Sequence, residues 1–203
     1  MKQSTVNTGL EKPCELPLSN GRLLIIGTGA IGVANLPGWC TAIRSWYSHE
    51  VRVLLTQSAQ TLVSPQAIAA TSGSQPIVTD FCGTHDYTVP HKQLASWPDL
   101  VIVSPATLNF ISQTALLMPS NLATYTAILT EAPVVVAPSL PGELWYSKRV
   151  QAYVTELRER QWEVLEPSIG IAVSDSSTSK GALPNIYEVL QSASQLISKG
   201  SKR

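Results

Sequence analysis

At Asp99-Leu-Val-Ile-Val-Ser-Pro-Ala-Thr-Leu-Asn109-Phe110 an unbroken apolar run stops abruptly in a polar turn. Leu100–Val103 shows no polar alternation, so both of its faces must be covered, as in a central strand of a parallel sheet. A parallel strand needs a crossover to its neighbour, usually a helix, which commits the chain to alternating strands and helices. Beyond the run, Ser104, Pro105, Ala106, Thr107 and Asn109 bring hydroxyls, an amide and a new helix N-terminus to the carboxyl end of the strand, where open α/β sheets bind ligands. His91 stands just upstream, in a segment that reads as the loop entering this strand.

The rest of the chain repeats the pattern. Arg22–Ile26, Val51–Leu55, Pro133–Ala137 and Trp162–Leu165 read as further strands, and Ile77-Val78 as a short one. A helix is expected from about Ala30 to Tyr47, starting late because of Pro37 and Gly38. Others are expected from Thr56-Gln57-Ser58 to about Val63, from about Thr107, from about Asn121, over Glu143–Arg160, and after Pro184. Residues 1–20 read as a flexible arm, 64–98 are hard to read, Cys82–His91 reads as loop, and 168–183 show no periodicity. The expected fold is a single α/β domain over residues 21–203, a Rossmann-like, flavodoxin-like doubly wound parallel sheet.

Gly27-Thr-Gly29-Ala-Ile-Gly32 follows the first strand and satisfies the dinucleotide fingerprint. The acid that should grip a ribose after the second strand is missing: Thr56-Gln57-Ser58 stands there, and Glu50 precedes the strand. Hydroxyls at a helix start suit a phosphate. The glycine turn would then admit a cofactor to the backbone while Thr56 and Ser58 hold a monophosphate; equally, the glycines could serve only a tight turn and Ser58 a helix cap.

Composition narrows the function classes. Among 203 residues, with 44% hydrophobic, 14% charged and a formal net charge of zero, there is no basic surface for nucleic acid or anionic membrane. No apolar stretch approaches the ~20 residues of a membrane span, and the N-terminus has no apolar signal core. Cys14, Cys40 and Cys82 lack metal-type spacing and read as reduced thiols of a cytoplasmic protein, with no metal site. His49 and His85 have no chemical context of note.

Taken together, these segments resemble the homo-oligomeric flavin-containing cysteine decarboxylases, in particular the epidermin-type peptidyl-cysteine decarboxylases that mature lantibiotics and other ribosomal peptides. The resemblance runs from Gly21 to about Leu190. The family's Pro-Ala-Ser-Ala-Asn-Thr motif is similar to Pro105-Ala106-Thr107-Leu108-Asn109-Phe110, and its catalytic histidine precedes that motif, where His91 stands. Its Pro-x-Met-Asn-x-x-Met-Trp motif is similar to Pro138-Ser-Leu140-Pro141-Gly-Glu-Leu144-Trp145, and its Asp-Asn-Leu to Ser120-Asn121-Leu122. The tail Leu183-Pro184-Asn185-Ile186 resembles the family's Met-Pro-Asn-Ile. Pro141 departs from a substrate-contacting asparagine, and Leu140 and Leu144 from methionines. The flap-like segment 168–183 lacks the cysteine that completes a reduction in the relatives serving coenzyme A synthesis.

The resemblance implies FMN (FAD in some relatives) held by Thr28, Gly29, Ala30, Thr56, Ser58, Ser104, Pro105, Ala106, Thr107 and Asn121. It implies His91 as base, Asn109 on the substrate carboxylate, and Leu140 and Pro141 beside the peptide. The substrate would be the C-terminal cysteine of a precursor peptide, leaving as an aminoenethiol, and the assembly a homotrimer or a dodecamer of trimers. The alternatives are a phosphopantothenoylcysteine decarboxylase of coenzyme A biosynthesis and a non-catalytic flavin-binding regulator; a flavin prenyltransferase is more distant.

Overall fold

The computed structural model describes residues 11–78, 90–171 and 178–200. Five parallel strands form the central sheet: β1 (Arg22–Gly27), β2 (Glu50–Leu55), β3 (Leu100–Ala106), β4 (Val134–Pro138) and β5 (Glu163–Val164), in the spatial order β2-β1-β3-β4-β5. This is the doubly wound, flavodoxin-type order, whose direction of winding reverses between β1 and β3 and opens a crevice at their carboxyl ends. Leu24, Ile26, Val101 and Val103 belong to the core on one side of the sheet. Leu23, Ile25, Leu100 and Ile102 belong to the core on the other. Burial on both faces is why these strands read as continuous apolar runs.

The first crossover is a 3-10 turn over Ile31–Asn35 followed by α1 (Leu36–Tyr47), so the helix does start late, with Pro37 in its opening turn. Then come α2 (Gln57–Gln60) and α3 (Pro65–Ser72), the latter closed by Gly73 at φ 75°. Ile77 makes an isolated parallel bridge to Leu54. The next helix, α4 (Pro90–Ser96), contains His91. That corrects the expected loop at this residue: a proline is well placed at a helix start, where its missing N–H costs nothing. The rest of the segment expected to be loop, and Cys82 and His85 in it, lies outside the described residues.

Two more helices start where hydroxyl and amide caps stand. Thr107 accepts from the Phe110 N–H at the start of α5 (Leu108–Ala115), and Asn121 makes a capping box with Thr124 at the start of α6 (Leu122–Leu129). The single helix expected over 143–160 is two, α7 (Gly142–Trp145) and α8 (Lys148–Glu159). Ser147 breaks it by accepting from the Val150 N–H and donating to the Leu144 carbonyl.

Residues 168–183, expected to pack as no regular element, instead hold an antiparallel pair, β6 (Ser168–Ile171) and β7 (Thr178–Ala182). Residues 172–177 lie outside the described part. Docking overrides weak local propensity here: the Leu140 N–H donates to the Gly181 carbonyl at 3.2 Å. Gly142 approaches the Lys180 carbonyl so closely that a Cβ would collide with it. The chain ends in α9 (Ile186–Gly200), burying Val189, Leu190 and Ala193.

Residues 11–20 also differ from the expected loose arm. Leu16 is buried in the core, the Tyr47 hydroxyl donates to the Cys14 carbonyl, and Asp99 accepts from the N–H groups of Asn20 and Arg22.

Candidate functional site

The crevice between β1 and β3 is built by two turns that share one hydroxyl. Thr28, 2% exposed, donates to the Pro105 carbonyl at 2.8 Å and accepts from the Thr107 N–H at 3.0 Å. Ser139 extends the seam, its N–H donating to the Ala106 carbonyl. The carboxyl ends of β1, β3 and β4 are thereby locked in register, and the N-terminus of α5 faces the crevice.

A cleft of about 420 Å³ opens here, within the range of small-molecule sites. Its described lining includes Thr28, Gly29, Thr56, Ser58, Thr107, Asn109 and Asn121 among the residues singled out from sequence. Gln57, Phe110, Ser120 and Thr124 join them. Ser120 and Phe110 stood in the sequence motifs without a role assigned to them, and Thr124 was not singled out; α5 turns Phe110 inward to 2% exposure.

Gly29 owes its place to packing. A Cβ there would strike the Cβ of Ser58, so the missing side chain lets the β1 and β2 turns close on each other. Gly32 makes the same allowance for Leu183.

The other expected residues lie outside the lining. Ser104 and Ala106 are fully buried, and the Ser104 hydroxyl has no hydrogen-bond partner among the described residues. Pro105 acts through its carbonyl, beneath the floor of the cleft. Ala30 caps the 3-10 turn, with its N–H on the Thr28 carbonyl. Leu140 is buried at 6% and Pro141 is exposed at the start of α7; both sit at the end of β4, against β7. His91 lies on the flank of the cleft, its ring 5.3 Å from that of Tyr125. Tyr125 follows the cleft-lining Thr124 on α6.

The donor set fits a flavin mononucleotide. None of the described lining residues is charged, and a phosphate would be met by the hydroxyls of Ser58, Thr56 and Thr107 and by the first turn of α5. Thr28 has spent its one hydroxyl proton on Pro105, so it positions the turn and does not donate to a ligand.

Residues 12–198 match the Flavoprotein family. The chain belongs to that family. Among curated relatives, the coenzyme A biosynthesis bifunctional protein CoaBC of Mycobacterium tuberculosis (strain H37Rv) is 33% identical over 162 residues, 79% of this chain and 38% of the relative. CoaBC of Haemophilus influenzae is 26% identical over 181 residues, 89% of this chain and 45% of the relative. The chain thus spans less than half the length of these relatives.

Among solved structures, the FMN-dependent cysteine decarboxylase SpaF superposes with a TM-score of 0.73 at 29% identity, covering 85% of this chain and 96% of that one. The cypemycin decarboxylase CypD shares the fold at a TM-score of 0.71 and 24% identity, over 90% and 97% of the two chains. A PPC decarboxylase mutant complexed with pantothenoylaminoethenethiol also shares it, at 0.74 and 18%, over 88% and 98%. This Flavoprotein member is therefore an FMN-type flavoprotein with a single parallel-sheet domain.

Proposed function

We propose that the chain carries out the FMN-dependent oxidative decarboxylation of the C-terminal cysteine of a ribosomally made precursor peptide, releasing an aminoenethiol. The observation that carries this reading is the nearly end-to-end similarity to SpaF.

A carboxylate departs as CO₂ only when the electrons it leaves have a sink. When bound by these residues, FMN would supply a hydride acceptor for the Cβ–S unit, the oxidation that gives the departing electrons their sink. The residues of the chain do the rest. Ser58, Thr56 and Thr107 hold the phosphate, and Asn109 holds the substrate carboxylate. The role of taking the thiol proton goes to the His91 imidazole on the strength of the resemblance. The exposed Pro141 and the β6–β7 pair shape the peptide side, where Leu140 contributes backbone and not side chain.

The test is mass spectrometry on FMN-loaded protein incubated with cysteine-ended peptides. The expected result is a loss of roughly 46 Da, CO₂ plus two hydrogens, as the oxidative route requires. His91→Asn, close to histidine in volume, should retain FMN and lose turnover; normal turnover in that variant removes His91 from the mechanism.

One observation favours a second reading, phosphopantothenoylcysteine decarboxylation: the curated relatives at 26–33% identity are CoaBC proteins. Phosphopantothenoylcysteine in a parallel incubation decides between the two. Turnover of that compound with none of any peptide overturns the peptide reading.

A further inference from the structure

Side chains between α5 and α6 are joined in one direction. The Thr124 N–H donates to Asn121 Oδ1 at 3.0 Å, which turns Asn121 Nδ2 towards Ser120. Asn121 Nδ2 donates to Ser120 Oγ at 3.4 Å, and Ser120 Oγ donates in turn to Gln113 Oε1 at 2.8 Å. Gln113 Nε2 therefore faces Asn109 and donates to its Oδ1 at 3.2 Å. The oxygen and nitrogen of an amide have nearly the same shape, and only their partners decide which is which. Here the first partner is a backbone N–H, which can only donate, and Ser120 Oγ, having accepted from Asn121, keeps one proton that Gln113 Oε1 is placed to take. Asn109 is left to offer Nδ2 to the cleft that it lines.

We propose that Gln113 is a positioning residue that sets the amide polarity of Asn109, so that the cleft presents an N–H donor and selects a substrate ending in a carboxylate over one ending in a carboxamide. The inference rests on the peptide reading. It does not follow from Asn109 alone: a free asparagine would flip to suit either end, whereas a relayed one penalises a donor at that place by leaving it facing another donor.

The experiment uses protein carrying dithionite-reduced FMN, which can take no further hydride, so binding is read without turnover. Fluorescence anisotropy follows one labelled cysteine-ended peptide as the free acid and as the C-terminal carboxamide. Wild type should bind the acid about tenfold more tightly, the size of one charge-assisted hydrogen bond. Gln113→Met removes the relay without adding charge and should bring that ratio close to one. Gln113→Glu offers Asn109 an acceptor, draws Nδ2 away from the cleft and should reverse the ratio. The reversal should persist in about 0.5 M salt, where repulsion from the added charge is screened.

FMN affinity, read from flavin fluorescence before reduction, should match wild type in both variants. A glutamate variant that keeps the wild-type preference overturns the relay while leaving the peptide reading intact, as does a loss that salt abolishes. Release of FMN from either variant overturns it too, since Gln113 would then be supporting the flavin site. A wild type that binds neither peptide overturns the peptide reading, and the relay with it.

Discussion

Asp99 shows how a single side chain can hold a distant segment. Burial works to raise its pKa, but the amide donors of Arg22 and Asn20 prevail and hold the carboxyl below its ordinary value. A depressed folded-state pKa means that the stabilisation is complete above the ordinary carboxylate range, about 4, and is lost as pH falls through the lower folded value. Asp99→Ala should therefore cost about 1 kcal/mol at neutral pH, allowing for solvent screening. The difference from wild type should shrink in acid; urea melts at pH 7 and pH 3 measure it, and a pH-independent difference would show that the charge is immaterial. Cys40 shows the opposite effect of burial: desolvation outweighs the nearby Arg44 and pushes its thiol up to about 12. Since the thiolate is the reactive form, Cys40 should resist iodoacetamide in the native protein and react once it is unfolded, as peptide mapping would reveal.

Among the elements, the β6–β7 pair depends on its neighbours. Gly142 opens α7 directly beneath the Lys180 carbonyl, with no room for a Cβ. Glu166 adds a second anchor: it accepts from the indole N–H of buried Trp145 at 2.9 Å and lies 4.0 Å from the Lys180 ammonium. Gly142→Ala would press a methyl group against backbone that cannot rotate away. It should cost about 1–3 kcal/mol and loosen β7. Hydrogen exchange reads the effect directly: the Leu140 amide, bonded to the Gly181 carbonyl, should exchange faster while the amides of β1 and β3 keep their protection. Equal loss everywhere would mean that the contact supports the whole fold and not this junction.

For the whole molecule, the notable surface is apolar. Leu116, Leu117 and Met118 follow α5 with 53%, 54% and 65% exposure, just before Ser120 at the cleft. A contiguous apolar run beside a ligand site, on a chain with only 14% charged residues, favours association. We expect a homotrimer, or a dodecamer built of trimers, with this run covered. Light scattering at micromolar concentration checks it, and a monomer there would count against the assembly. Among the described residues, no helix is long and apolar enough to cross a membrane.

Much of this architecture could be read along the chain because its causes are local. Leu100–Val103 could only be a strand buried on both faces, and Thr56, Thr107 and Asn121 could each cap a helix whatever lay around them. Parallel strands with helical crossovers then implied an open sheet and a crevice at its carboxyl edge. What stayed hidden depends on groups brought together from far apart in the chain. Thr28 looked like a ligand donor until its proton was found on the Pro105 carbonyl, 77 residues away. Gly29, which lines the cleft, also lets the β1 and β2 turns close on each other at Ser58, and His91 looked like a loop residue until α4 carried it against Tyr125. Residues 168–171 and 178–182 had no period of their own, because the contacts that hold this pair of strands in place belong to Leu140, Gly142 and Glu166. Period and capping are written in neighbouring residues; which turns meet, and which proton each hydroxyl has already given away, depends on the packed sheet that brings them within reach.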